Sequence, residues 1–149
     1  MIGKFIAGIS ALIWSPKRQK YLLLRRAKTK DFGAGGWECV TGRVDQGEGF
    51  PEAAVREVKE ELCIDVKLDF LIDTVHFYRG EPVPENELLG VVYHCTYDER
   101  VPFTMSDEHD AFEWVTAVEA QQKLPAAHWL LPHLQRAEIL RHKLPSDIL

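Results

Sequence analysis

A chain of 149 residues that is 46% hydrophobic fits one compact domain with an ordinary core. Its net charge of −5 excludes a protein that coats nucleic acid through a basic stripe. It leaves room for a small phosphorylated substrate, because a metal ion can supply positive charge locally. Three scattered cysteines, Cys39, Cys63 and Cys95, never form a C-x-x-C pair. They fit reduced thiols in a cytoplasmic protein better than a disulfide framework or a zinc site.

Residues 4–14 are almost continuously apolar, which predicts a strand buried on both faces. This run is too short to span a bilayer, and it lacks a convincing A-x-A cleavage site. A cytoplasmic protein with no membrane partner is therefore expected. Ser15-Pro16-Lys17-Arg18-Gln19-Lys20 reads as a turn and residues 21–26 as the returning strand. Alternation puts Arg25 and Arg26 on opposite faces, so at most one points into a cleft. Either is a solvated strand end or a guanidinium for a substrate phosphate, and Arg26 is the candidate. Residues 28–36 read as a flexible loop and 37–41 as a short strand. Trp37 is read first as a packing residue and second as a stacking platform for substrate.

Residues 42–64 (GRVDQGEGFPEAAVREVKEELCI) open as a glycine-punctuated loop and continue as a helix, with Pro51 suited to its first turn and Glu52 to its positive end. Val55, Val58 and Leu62 form the predicted buried stripe, while Glu57, Glu60 and Glu61 share roughly one quadrant on a different side. Three carboxylates so close repel one another. They are either a solvated face laced by Arg56 and Lys59, or a site for a hard divalent cation, Mg²⁺ or Mn²⁺.

Residues 65–78 have strand-like density of β-branched and aromatic residues. Residues 79–87 (RGEPVPENE) cannot continue a central strand and read as an exposed loop. Arg79 at its start is read as solvated, or else as reaching a phosphate. Leu89, Val91, Tyr93, Cys95 and Tyr97 alternate along the next strand, and a polar patch over 106–110 precedes a short strand at 112–115. Thr116 with Glu119 predicts a capped helix to about 124, where Pro125 breaks it. A last helix from near Pro132 to about 143 carries Leu134, Ala137 and Leu140 as its stripe. Strands interleaved with helices predict a mixed sheet with helices on its faces, an α/β (α+β) fold.

The pattern G-x5-E-x7-R-E-U-x-E-E-x-G-U, with U apolar, is the signature of the Nudix hydrolases, and this chain resembles that family at eight of its nine fixed positions. Gly42, Glu48, Arg56, Glu57, Val58, Glu60, Glu61 and Ile64 match, while Cys63 stands where the family usually has Gly. A left-handed residue there would cost about 1 kcal/mol relative to Gly, so a right-handed Cys63 is expected. The segments Trp37-x-x-Val40-Thr41-Gly42 and Glu108-His109 before Trp114 are similar to the dihydroneopterin triphosphate (dATP) pyrophosphohydrolase branch, which also lacks the Gly at the Cys63 position.

The resemblance implies a single α/β/α Nudix sandwich over residues 1–149, with Glu57, Glu60 and Glu61 as metal ligands oriented by Arg56, and with Glu48 near the same cluster. Glu108 matches a late-loop carboxylate that joins the metal set or serves as general base. A motif glutamate is the other candidate base. Phosphoanhydride hydrolysis needs charge neutralisation and a positioned water, which Mg²⁺ or Mn²⁺ on those glutamates would supply. Arg26, Trp37 and Arg79 are the candidates for contacting substrate.

The expected activity is pyrophosphate release from a pteridine or nucleoside triphosphate. Alternatives are hydrolysis of another nucleoside diphosphate derivative, such as a dinucleoside polyphosphate, or a non-catalytic nucleotide sensor. A zinc deaminase and a P-loop enzyme are set aside, since neither H-x-E…P-C-x-x-C nor G-x-x-x-x-G-K occurs. No nucleic-acid polymer is expected as partner, and an exposed edge strand would allow a homodimer.

Overall fold

The computed structural model describes residues 1–29 and 33–145. Part of the loop read at 28–36 therefore lies outside the described residues. Seven strands form one mixed sheet: β1 (Ile6–Ser15), β2 (Lys20–Arg26), β3 (Trp37–Glu38), β4 (Val40–Arg43), β5 (Val66–Tyr78), β6 (Glu87–Tyr97) and β7 (His109–Val115). Helix α1 (Phe50–Leu62) covers one face, while α2 (Ala117–Lys123) and α3 (Leu130–Lys143) cover the other.

The hairpin of β1 and β2 opens soon after its turn. The two strands pair only at Trp14↔Tyr21 and Ser15↔Lys20. Beyond that point β4 pairs antiparallel with β1 over residues 8–11, and β3 pairs antiparallel with β2. The stretch read from sequence as one strand at 37–41 is thus two short strands, each satisfying a different neighbour's backbone in the gap. On its other side β1 runs parallel to β6 over nine residue pairs. Central position explains why β1 and β6 are apolar on both faces. In β6 the alternation expected from Leu89 to Tyr97 gives way to burial of Leu88, Val91, Val92, His94 and Cys95, with Leu89 exposed.

Each face has its own core. Ala11, Ile13, Leu22, Leu24, Val40 and Cys95 meet Val58, Leu62 and Ile64 on the α1 side. Leu12, Tyr21, Leu23, Cys39 and Val92 meet Leu130, Leu134 and Ala137 on the other. That second face also buries a polar pair. His94 Nδ1 lies 2.8 Å from Asp69 Oδ2, and Thr96 Oγ1 donates to the same oxygen at 2.6 Å. The Thr116 side chain caps α2 by accepting from Glu119 N, as its spacing predicts. Helix α3 begins at Leu130, two residues before Pro132.

Two local expectations are corrected. Val55 is exposed, whereas Ala53, Ala54, Val58, Glu61 and Leu62 are buried. At about 100° per residue, the inward arc runs from Ala53 through Glu57, Glu61, Ala54 and Val58 to Leu62, and Val55 falls just past its edge. The helix is rotated so that two of its glutamates face the protein. Cys63 is left-handed, at φ 58° and ψ 30°, because its N–H closes α1 on the carbonyl of Lys59 and sends the chain directly into Ile64 and β5.

Candidate active site

Strand alternation over β3 and β4 divides the residues between the two faces. Trp37 and Cys39 point toward α2 and α3, while Glu38 and Val40 point toward α1. The same alternation on β2 sends Arg25 to Asp110, at 2.7 Å, and Arg26 to Glu38, at 3.3 Å. Of the two arginines, Arg26 is the one on the α1 face. Trp37 is not brought to that face; its indole packs against the opposite core with Lys123 Nζ 4.1 Å from the ring centroid.

From β4 the chain passes Gly42, whose missing side chain leaves the space that the Glu57 carboxylate occupies. A Cβ there would overlap it. The following loop is folded by Glu48, which accepts from Asp45 N at 2.7 Å and then pairs with Arg56. Arg56 organises the entrance. Its Nε and Nη2 grip Glu48 at 3.1 and 2.5 Å, its Nη2 also donates to the Arg43 carbonyl at 2.9 Å, and its Nη1 reaches Glu57 at 2.9 Å and Glu60 at 3.3 Å. The fork geometry of guanidinium permits this many directed bonds, which a lysine could not match. Hydrogen bonding to Arg56 holds the Glu48 carboxyl below its usual range and raises Arg56 further. Glu60, with a side chain 59% exposed, stays on the rim.

Glu61 lies at the bottom of the site. It is 3% exposed, and its Oε2 has no hydrogen-bond partner among the described residues. Burial, then the hydrogen bond and charge of Glu108, then the charges of Glu38 and Glu57, push its carboxyl up to about 10. Burial likewise raises Glu57, against the opposing effect of Arg56. Glu108 arrives on the loop before β7. That loop is fixed by main-chain bonds from Thr104 N to the Leu62 carbonyl and from Ser106 N to the Glu61 carbonyl, both 2.9 Å, and from Ala27 N to the Glu108 carbonyl at 2.8 Å. Ligand atoms of Glu61, Glu108 and His109 come within 4.8 Å of one another. A buried carboxylate with an orphaned oxygen, beside two more, has the chemistry of a divalent-cation site built from oxygen donors.

Positive charge collects beside the carboxylates. Burial and then the neighbouring Arg43 and Arg26 lower the Arg79 guanidinium from its usual value. Arg79 and Arg43 line a cavity of about 320 Å³ with Ile6, Glu85 and Asn86. The loop at 79–87 is therefore a wall of this cavity, with Arg79 half-buried in it. Sequence reasoning singled out Arg56, Glu57, Glu61, Glu108, Arg26 and Arg79, which converge. It missed Arg43, Glu38 and the inward role of His109. Only Glu38 had a usable signal, since alternation puts it opposite Trp37 and level with Val40.

The NUDIX domain profile matches residues 4–137. The chain belongs to the Nudix family of hydrolases, which open phosphoanhydride bonds in nucleotide derivatives. Within it, the chain is 35% identical over 126 residues to dihydroneopterin triphosphate diphosphatase of Escherichia coli (strain K12), a match covering 76% of this chain and 79% of that one. It is 30% identical over 148 residues to CTP pyrophosphohydrolase of the same organism, covering 97% and 99%. A 37% match to an octanoyltransferase of Myxococcus xanthus covers 71% of this chain but 29% of that protein. In structure, it is similar to the MutT protein from Methanosarcina mazei Go1 (TM-score 0.76, 25% identity, 96% and 99% covered). It is also similar to the E. coli dihydroneopterin triphosphate pyrophosphohydrolase (TM-score 0.69, 25% identity, 97% and 100% covered).

Proposed function

We propose that the chain is a single-domain, Mg²⁺- or Mn²⁺-dependent pyrophosphohydrolase that acts on dihydroneopterin triphosphate or a (deoxy)nucleoside triphosphate. The observation that carries this reading is the buried, unpartnered Glu61 oxygen grouped with Glu57, Glu108 and Glu38, with Arg79 close to that same Glu38 and to Arg26 and Arg43. Glu57, Glu61 and Glu108 would hold the cation, with Glu60 reaching in from the rim. When bound, the cation neutralises phosphate oxygens and acidifies water. Arg56 fixes the carboxylates by its bonds to Glu48, Glu57 and Glu60. Arg26, Arg43 and Arg79 bind the triphosphate, whose charge complements theirs. Glu108, holding the cation through one carboxylate oxygen, would take the proton from the attacking water on the other. The water oxygen bonds to phosphorus, the bridging P–O bond breaks, and pyrophosphate leaves with the bridging oxygen.

The match to dihydroneopterin triphosphate diphosphatase supports the pteridine substrate, and the end-to-end match to CTP pyrophosphohydrolase supports a nucleoside triphosphate as the second reading. The full set of motif glutamates weighs against a sensor that has lost catalysis. Incubation with dihydroneopterin triphosphate, dATP, CTP and a dinucleoside polyphosphate, with and without EDTA, is the decisive assay. Pyrophosphate release from a triphosphate, abolished by EDTA, is expected. No turnover of any compound in that panel would remove the proposal.

A cytoplasmic location belongs to the same reading. No helix among the described residues is long and apolar enough to cross a membrane. A homodimer through β5 is also part of it, since among the described residues β5 pairs only with β6 and leaves Leu71 and Phe77 exposed. Sedimentation of Phe77→Glu should then show monomer where the unaltered chain shows dimer.

A further inference from the structure

Behind the carboxylates lies a group that the proposed reaction does not use. His109 is 5% exposed, and its Nδ1 has no hydrogen-bond partner among the described residues. Its Nε2 sits 3.3 Å from Glu38 Oε2, and Arg26 Nη1 sits 3.3 Å from that same oxygen. Arg26 donates to that oxygen, which therefore accepts, and in the contact with it the Nε2 nitrogen carries the hydrogen. With its hydrogen on Nε2, the ring turns an unpartnered Nδ1 into the protein. A polar atom left unsatisfied inside a protein is costly. A second such atom, Glu61 Oε2, belongs to the same cluster.

One arrangement satisfies both atoms. Histidines that ligate metals characteristically donate their other ring N–H to a carboxylate, which fixes the tautomer and orients the ring. The contact from Glu38 to His109 has that form, and a ring nitrogen of His109 lies within 4.8 Å of ligand oxygens of Glu61 and Glu108. A single cation at about 2.2 Å from each donor sets neighbouring donors about 3 Å apart, so the three side chains close in on it when it binds. We infer that His109 is a nitrogen ligand of the divalent-cation site, positioned by Glu38, and that it shifts the site's preference from Mg²⁺ toward Mn²⁺. Mg²⁺ takes oxygen donors and is a poor partner for imidazole. Mn²⁺, though it stands at the weak end of the first-row series, is a transition ion that accepts a nitrogen donor more readily, so the shift follows from ligand type. The inference rests on the reading that Glu61 and Glu108 hold a cation.

The test uses the full, metal-free chain titrated with Mn²⁺ and followed by pulsed electron paramagnetic resonance. Echo modulation from directly bound ¹⁴N is expected. It should change to the ¹⁵N pattern when the protein is made with ¹⁵N-histidine, a comparison that needs no variant. In His109→Gln the nitrogen modulation should vanish and the Mn²⁺ dissociation constant should rise about tenfold. The Mg²⁺ constant, read by competition, should move less than about twofold. Tight Mn²⁺ binding that is lost in Glu61→Gln but shows no nitrogen modulation in the unaltered chain overturns the inference and leaves the proposed function standing. Mn²⁺ binding that is indifferent to Glu61→Gln overturns both.

Discussion

Glu61 shows what placing a residue in the proposed site costs the fold. In the metal-free protein its folded pKa of about 10 lies far above the unfolded value of about 4.3. Between those two values the folded state binds more protons than the unfolded one, so stability falls as pH rises. His128 and His133, held neutral by burial, oppose this trend only below about pH 6.5, and Cys95 and Tyr21 are raised beyond about pH 9. From about pH 7 to 8.5 the metal-free protein is therefore expected to lose melting temperature steadily. Glu61→Gln should flatten that slope, and saturating Mg²⁺ should do the same. A slope unchanged in Glu61→Gln would show that the cost lies elsewhere. Divalent-ion binding should also release protons in this range, which calorimetry in buffers of different ionisation enthalpy reads directly.

At the scale of elements, α1 is set by its two ends and by its rotation. Its length and start are legible in sequence: Pro51 lies in its first turn and Leu62 ends it. Its rotation is not, because Val55–Val58–Leu62 makes as good an apolar stripe as the one adopted. What decides is the partner surface. Small Ala53 and Ala54 let the helix lie close to Ile9 and Val91, and that contact turns Glu57 and Glu61 inward. The approach needs tertiary information, as does the meeting of Glu38, Arg43 and His109 from three separate strands. The helix C-terminus offers a direct test. Cys63 sits in a left-handed conformation that glycine adopts without strain. Cys63→Gly is thus expected to stabilise the fold by about 1 kcal/mol in chemical denaturation, with turnover unaltered. A loss of stability would mean that the thiol, though exposed, makes a contact of greater worth.

Across the whole molecule, the sheet separates two jobs. Site residues lie on the α1 face, while the α2 and α3 face holds packing and the buried pair of Asp69 and His94. Removing the Asp69 carboxylate leaves the buried His94 Nδ1 unpaired and takes a partner from Thr96 Oγ1, a loss of about 1–3 kcal/mol. Asp69→Ala should accordingly lower the urea midpoint sharply while kcat at a permissive temperature stays within about twofold of the unaltered chain. A parallel collapse of kcat would show that the two faces are coupled. The strands themselves were readable from apolar runs and turn residues. The opening of β1 from β2 was not, because nothing local marks where pairing stops and β3 and β4 enter.

The loop that brings Glu108 is registered to α1 by amide-to-carbonyl bonds at Thr104 and Ser106. Its placement is thus written largely in backbone, helped by Met105 packed on the α1-side core and by Ser106 Oγ, which accepts from Glu108 N. The exposed Thr104 and Asp107 are therefore open to drift under mutation so long as each keeps its amide hydrogen. Proline is the exception. Ser106→Pro would keep every acidic group in the chain and still let the arm swing from its mooring, so divalent-ion affinity measured by titration should fall although no ligand has been deleted.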